Sequence, residues 1–365
     1  MTVSKPKVLY AASTKQHLDR FHMSYIKELR KSTDLYLMAT GQDVDFSVSF
    51  DKHFFSFQNL KSILQIRGIL KKEKFDAVIL HTTLAAFLIR AAMFGMKKRP
   101  RVLNVVHGYL FSKPIRSKKD RVLLLCEKIM RSKTDAIAVM NAEDLLIAQE
   151  NDLCRGAVYS IRGMGVDGFP CIPQKNTDLR ASLKIDSSRL VCTFVGELSR
   201  RKNQLFLIQA AKRLRDEGIP ICLLLVGEGT EREVLENEIH KLQLEDVVRL
   251  LGSRNDVPDI LSVTDIYVSA SVSEGLPFNI MEAMYCGLPI VASNTKGQND
   301  LLSAHPNALY LPDEMDSFCE CLKAVLKTGK YGVGSVSYPE QELYRLSAVF
   351  QENCALFTDF IKETL

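Results

Sequence analysis

Two glutamates eight positions apart, Glu274 and Glu282, sit in the run Ser-Glu-Gly-Leu-Pro-Phe-Asn-Ile-Met-Glu-Ala-Met-Tyr-Cys-Gly-Leu-Pro over residues 273–289. Pro277 suits a first helical turn, where its missing N–H is not needed. Gly287 suits the left-handed position that ends a helix. The pattern predicts a short helix over about 277–286, with Glu274 in the loop before it and Glu282 on its second turn. A helix N-terminus beside a glycine offers backbone N–H groups and the positive end of the helix dipole, which suit a phosphate. Carboxylates suit hydroxyls instead, since each accepts two hydrogen bonds from a vicinal diol. Phosphate donors flanked by two such carboxylates fit a nucleotide sugar. An ordinary capped surface helix with solvated glutamates would share the spacing but not the Gly-Leu-Pro flanks.

Short, continuously apolar runs position these residues. They are Val8–Ala12, Leu35–Ala39, Ala77–His81, Val102–His107 and Ala136–Met140, then Leu190–Val195, Ile221–Val226, Val247–Leu251, Ile266–Ala270, Leu288–Ala292 and Leu309–Leu311. Such runs read as strands buried on both faces. Amphipathic stretches such as Gln204–Glu217 and Glu231–Gln243 separate them, so the fold class is α/β with parallel sheets and right-handed crossovers. Asp76, Asp135 and Asp265 each open a strand, a weak internal echo. Three glycines and two prolines within Gly163–Pro173 break the chain. Two doubly wound, Rossmann-like domains are therefore expected at 1–168 and 175–335, facing across a cleft, with a last helix over 341–365. Ligands of such sheets bind at the carboxyl ends of the strands.

The 365 residues are 46% apolar and 25% charged, which excludes a disordered, collagen-like or coiled-coil chain. The net charge of +5 hides an asymmetry: residues 1–168 hold 28 Lys and Arg against 16 Asp and Glu, the remainder 20 against 27. Nine scattered cysteines, several in apolar runs, read as reduced thiols of an intracellular chain. No signal peptide is read at the N-terminus and no run reaches the ~20 apolar residues of a spanning helix. The basic excess gathers in Lys97–Arg101 and in Lys113–Lys133, around the apolar run Val122–Cys126. That arrangement suits an anionic membrane surface, or a stripe packed on the sheet beneath solvated charges.

The Glu274–Glu282 stretch resembles the family 4 retaining glycosyltransferases of the two-Rossmann GT-B fold, whose hallmark is Glu-x7-Glu. The resemblance covers most of the chain. Val195-Gly196-Glu197-Leu198-Ser199-Arg200-Arg201-Lys202-Asn203 is similar to the family's second phosphate-binding element, in which Lys202 would neutralise the donor diphosphate. Many members carry Arg where Glu197 stands, and either Arg200 or Arg201 would replace that charge. The resemblance also implies donor contacts from Gly196, Arg254, Gly275, Leu276, Pro277 and Phe278, the segment Leu251–Asn255 lying near the nucleobase. Gly165-Val166-Asp167 matches the family linker, and the final helix would cross back onto the first domain. Val105-Val106-His107-Gly108-Tyr109 resembles the bacterial capsular and exopolysaccharide subset, in which His107 would lie by the transferred sugar. His17 and His22 would line the acceptor side.

The reduced thiols suit the cytoplasm, and the basic–apolar stretch suits either a peripheral place on the inner membrane face or packing on the sheet. What the resemblance implies is a retaining hexosyltransferase. It would move a sugar from a nucleotide donor, UDP being commonest in the subset, to a lipid-linked or other saccharide hydroxyl. The first domain would take the acceptor and the second the donor. No cofactor is expected, since the one Asp-x-Asp, Asp43-Val44-Asp45, follows a strand in a polar segment unsuited to a metal. Two alternatives share the motif: a sugar-nucleotide epimerase of the same fold, and a non-catalytic partner subunit. A nicotinamide dehydrogenase is disfavoured, because Arg232 replaces the third glycine after Gly227-x-Gly229 and Asp246 precedes its strand. No recognition motif or basic–aromatic ladder points to nucleic acid.

Overall fold

The computed structural model describes residues 5–51, 56–115, 117–166 and 177–363. The chain divides into two units, Met1–Gly165 with Leu343–Leu365, and Val166–Glu342. Residues 167–173 of the expected break, Asp167 of the linker among them, lie outside the described residues.

In the first unit the strands are β1 (Lys7–Thr14), β2 (Asp34–Thr40), β3 (Phe46–Ser47), β4 (Ala77–His81), β5 (Arg101–Val106), β6 (Ala136–Val139) and β7 (Val158–Ser160). They form one parallel sheet in the order β3-β2-β1-β4-β5-β6-β7. Its helices are α1 (Lys15–Phe21), α2 (Met23–Ser32), α3 (Phe57–Glu73), α4 (Thr83–Ala92), α5 (Lys118–Met130) and α6 (Ala142–Glu150). The winding runs outward from β1 to one edge and from β4 to the other, so it reverses between β1 and β4. The short edge strands β3 and β7 escape an apolar-run reading because two or three half-exposed residues carry no run.

The second unit is wound the same way. It contains α7 (Thr177–Ser182), β8 (Leu190–Val195), α8 (Gln204–Asp216), β9 (Ile221–Val226), α9 (Arg232–Lys241), β10 (Val248–Gly252), α10 (Val257–Ser262) and β11 (Ile266–Ser269). There follow α11 (Phe278–Tyr285), β12 (Ile290–Ser293), α12 (Gln298–Leu301), β13 (Leu309–Tyr310) and α13 (Met315–Lys327). The order is β10-β9-β8-β11-β12-β13, with the reversal between β8 and β11.

The three echoed aspartates have one physical role. Asp76, Asp135 and Asp265 each stand just before a strand and accept the backbone N–H of the neighbouring strand: Lys7 at 2.8 Å, Val102 at 2.9 Å and Val191 at 2.9 Å. Each thus fixes the register at which a strand pair begins. Asp45 is structural in the same way, accepting the Leu37 N–H at 2.7 Å.

The last helix, α14 (Leu346–Lys362), belongs to the first unit. Asn353 donates to the Gly163 carbonyl at 2.8 Å and to the Tyr25 hydroxyl at 3.1 Å, and Tyr25 donates to the Met164 carbonyl at 2.9 Å. Gly165 has φ +79°, and a Cβ there would lie 2.5 Å from Leu346 Cα, so only glycine lets the chain pass the start of α14.

Candidate functional site

In the second unit, the loop after β8 and the loop after β11 leave the sheet on either side of its reversal, where a doubly wound sheet opens a crevice. The first loop carries Gly196, Arg201 and Lys202, the second Glu274. Lys202 Nζ lies 2.5 Å from Glu274 Oε1 and Arg201 Nη1 lies 2.6 Å from Oε2. Arg201 also donates to the Ser273 carbonyl at 2.9 Å. Glu274 and Lys202 are buried at 7% and 8% exposure, while the Arg201 side chain is 42% exposed. Burial works to raise the Glu274 pKa, but Lys202 and Arg201 more than offset it and hold the carboxyl below its ordinary value. Burial lowers Lys202, against the pull of Glu274. The cluster therefore presents two cations around one carboxylate.

Arg200 points elsewhere: its side chain is 91% exposed and faces Glu231 at 3.4 Å. Arg201, not Arg200, is thus the arginine that reaches Glu274. Gly196 lies beside the lysine, and a Cβ on it would meet Lys202 Cε at 3.6 Å. Gly275, Leu276 and Pro277 are buried in the loop, Pro277 is the N-cap of α11, and Phe278 is its first residue. Glu282 follows one turn later on that helix. Asn279 donates to the Val195 carbonyl at 2.7 Å and so ties the helix start to the end of β8. Arg254 is not brought to the cluster by any contact. It makes a two-point ion pair with Asp256, at 2.7 and 2.5 Å, on the loop after the edge strand β10.

Gly297 approaches this loop from β12. A Cβ there would lie 2.6 Å from the Gly275 carbonyl oxygen, and its φ is +78°. Beside it Lys296 is buried at 3% exposure, a further basic residue that sequence reasoning did not single out. Its only sequence signal is its place one residue before a glycine after a strand.

In the first unit, the reversal gathers histidines. His17 lies on α1 just after β1, His22 between α1 and α2, His81 at the end of β4, and His107 directly after β5. Tyr10 Oη lies 2.8 Å from His22 Nδ1, and His81 Nδ1 lies 3.0 Å from His107 Nε2. Ser13 bonds Thr82 Oγ1 through its N–H at 2.9 Å and its hydroxyl at 2.7 Å, clamping the ends of β1 and β4. Thr82 takes φ +66°, a strained conformation for a β-branched residue. Burial lowers all four imidazoles, His17 to about 4 and His107 to about 3, so they are neutral at pH 7. His17, His22 and His107 each offer a nitrogen within 4.8 Å of the others, a set able to hold a metal. His81 and Tyr10 were missed in the sequence because both read as strand interior.

Comparison with known proteins bears on this geometry. Residues 175–332 match the family model of the group 1 glycosyl transferases. The UDP-Gal:alpha-D-GlcNAc-diphosphoundecaprenol alpha-1,3-galactosyltransferase of Escherichia coli is 30% identical over 276 residues, 73% of this chain and 70% of that protein. This chain belongs to the group 1 glycosyltransferases. EpsD of Bacillus subtilis (strain 168), which carries a glycosyltransferase name, is 26% identical over 84% of this chain and 83% of its own length. Among solved structures, HepE of Anabaena in complex with UDP and glucose superposes with a TM-score of 0.73 at 19% identity, covering 97% of this chain and all of its own. Sucrose-phosphate synthase of Thermosynechococcus elongatus gives 0.76 at 15% identity, over 98% of this chain and 100% of that one. The fold of this glycosyltransferase is thus GT-B: two Rossmann-like parallel-sheet domains.

Proposed function

We propose that this glycosyltransferase moves a hexose from a UDP-sugar to a hydroxyl of a lipid-linked saccharide in surface-polysaccharide synthesis, with retention at the anomeric carbon. The observation that carries the reading is the Lys202–Glu274–Arg201 cluster at the reversal of the second sheet. Lys202 and Arg201 stabilise the charge that grows on the leaving diphosphate, preorganised electrostatics that are usually the largest catalytic contribution. Glu274 orients the donor sugar through its hydroxyls, and Glu282 holds the ribose diol. His107 is the catalytic imidazole of the acceptor unit, with His17 and His22 on the acceptor side. The bond from the anomeric carbon to the diphosphate breaks, the acceptor oxygen bonds to that carbon, and the leaving phosphate takes the acceptor's proton. The two cations already present make a divalent metal on the diphosphate unnecessary. The galactosyltransferase relative named for a diphosphoundecaprenol acceptor and HepE solved with UDP support the donor and acceptor classes.

The first unit is also proposed to dock on the anionic inner face of the membrane. No helix of the described residues is long and apolar enough to cross one. On α5, Leu123 and Leu124 pack inward, while Val122, Leu125 and Ile129 are 51–56% exposed at helical spacing among lysines and arginines. On α3, Phe57, Leu60 and Leu64 form a second exposed row at 56–72%. Such rows with basic flanks suit an interfacial contact.

The test is turnover of UDP-glucose and UDP-galactose with a polyprenyl-diphosphate-linked sugar as acceptor, with and without added Mg²⁺ or Mn²⁺. A glycosylated acceptor of retained configuration, formed at equal rate without the added ion, is expected. A donor epimerised without acceptor would favour the epimerase, and no turnover with either donor would sink the UDP-sugar assignment.

A further inference from the structure

The histidines of the first unit carry more than an acceptor-side reading. A buried imidazole nitrogen without a hydrogen-bond partner is costly, and buried polar groups in native proteins are rarely left so. Here the Nε2 atoms of His17, His22 and His81 are all buried without a partner, and His22 and His81 are fully buried. They face one another rather than scatter: ring centroids are 5.0 Å apart for His17 and His22, 5.2 Å for His17 and His107, 5.7 Å for His22 and His107, and 4.2 Å for His22 and His81. Among the described residues, His17, His22 and His107 alone form a group whose potential ligand atoms all lie within 4.8 Å.

We infer that His17, His22 and His107 form a binding site for one late first-row divalent ion of the Zn²⁺ class. Zinc sits about 2.0–2.1 Å from each imidazole nitrogen, which sets the nitrogens roughly 3.4 Å apart, so modest swings of rings already in contact close the site. The donor set decides the ion. Three imidazoles with no carboxylate suit Zn²⁺, Co²⁺, Ni²⁺ or Cu²⁺, and they do not suit Mg²⁺ or Ca²⁺, which need oxygen ligands. Partners on the far nitrogens orient the ligands, as around known metal centres. Tyr10 Oη holds His22 Nδ1 and leaves Nε2 facing the cluster, and His81 contacts the His107 ring. Three protein ligands leave a fourth position for water or a hydroxyl. Its ligands all belong to the first unit, while the residues assigned to the diphosphate belong to the second, so it does not require a metal on the donor.

The inference is tested without substrate and so stands or falls separately from the transferase reading. Full-length protein freed of metal with EDTA and kept reduced is titrated with Co²⁺, followed by its visible absorption, and then with competing Zn²⁺. One ion per chain is expected, with the spectrum of nitrogen-ligated Co²⁺ and no thiolate charge-transfer band. His17→Ala and His107→Ala should each weaken binding roughly 100-fold or more, while Cys126→Ser leaves it unchanged. Metal-free thermal unfolding of each variant checks that it is folded, and His17→Gln replaces a variant that is not. No stoichiometric binding, binding unaltered in folded His17 and His107 variants, or a thiolate spectrum would each overturn the site.

Discussion

At the reversal of the first sheet stand four uncharged imidazoles and a phenol. At the reversal of the second stand two cations and a carboxylate in direct contact. Both sheets wind outward from the same kind of switch between adjacent parallel strands, so topology places the crevice and side chains alone give it a charge. The first unit does contain a buried ion pair, but puts it away from the reversal: Arg90 on α4 meets Glu127 on α5 through two 2.9 Å bonds, and also reaches the Thr134 hydroxyl at 3.2 Å. That pair joins two helices. The cluster in the second unit joins two loops at the sheet's reversal, and the proposed donor role gives it a different task from the helix-joining pair.

The largest effect should come from breaking the second cluster. Lys202→Ala or Glu274→Gln should reduce sugar transfer by about 10²–10³-fold with the second unit still folded, as measured by product formation and circular dichroism. Glu127→Ala should do the reverse: it strands the fully buried Arg90, costing about 3–5 kcal/mol of stability, read by chemical denaturation, while transfer per folded molecule persists. Equal loss of stability from both lesions would erase the distinction between the two pairs.

Acid should sort the units more gently. Unfolded histidines protonate near the ordinary value of about 6.5, whereas folded His17 stays neutral to about 4 and His107 to about 3. Below about 6.5 the unfolded chain therefore binds more protons. Stability from the cluster is full above that pH and is lost progressively as it falls through about 4 for His17 and towards about 3 for His107. Hydrogen-exchange protection of β1 and β4 should drop over this window before that of β8 and β11. The smallest effect belongs to Arg200→Ala, within about 0.5 kcal/mol of the parent in stability and near it in transfer, whereas Arg201→Ala should slow transfer about tenfold or more.

Continuous apolar runs made both sheets legible in the sequence, because strands buried on both faces leave little else. The Glu274 loop was legible too, through glycine and proline at its helix boundaries, whereas the Lys202 loop was read only through the family resemblance. What was hidden is instructive. That Arg201 rather than Arg200 turns inward depends on a loop path that spacing does not encode. His81 and Tyr10 read as strand interior, and only the β1–β4 pairing reveals that they meet His22 and His107. Buried Lys296 is next to Gly297, whose close approach to Gly275 joins two loops 22 residues apart in sequence. The exposed rows on α3 and α5 were half legible: composition showed the apolar run, and only the packing of Leu123 and Leu124 shows which residues are left outside.

The central claim is that the second unit holds the donor diphosphate through Lys202 and Arg201, and that the neutral cluster of the first unit does not. Calorimetric titration of UDP into the parent protein, Lys202→Ala and His107→Ala tests it most directly. UDP should bind the parent and His107→Ala alike, and Lys202→Ala at least ~100-fold more weakly. Undiminished binding by folded Lys202→Ala, or its loss in His107→Ala, would contradict the account.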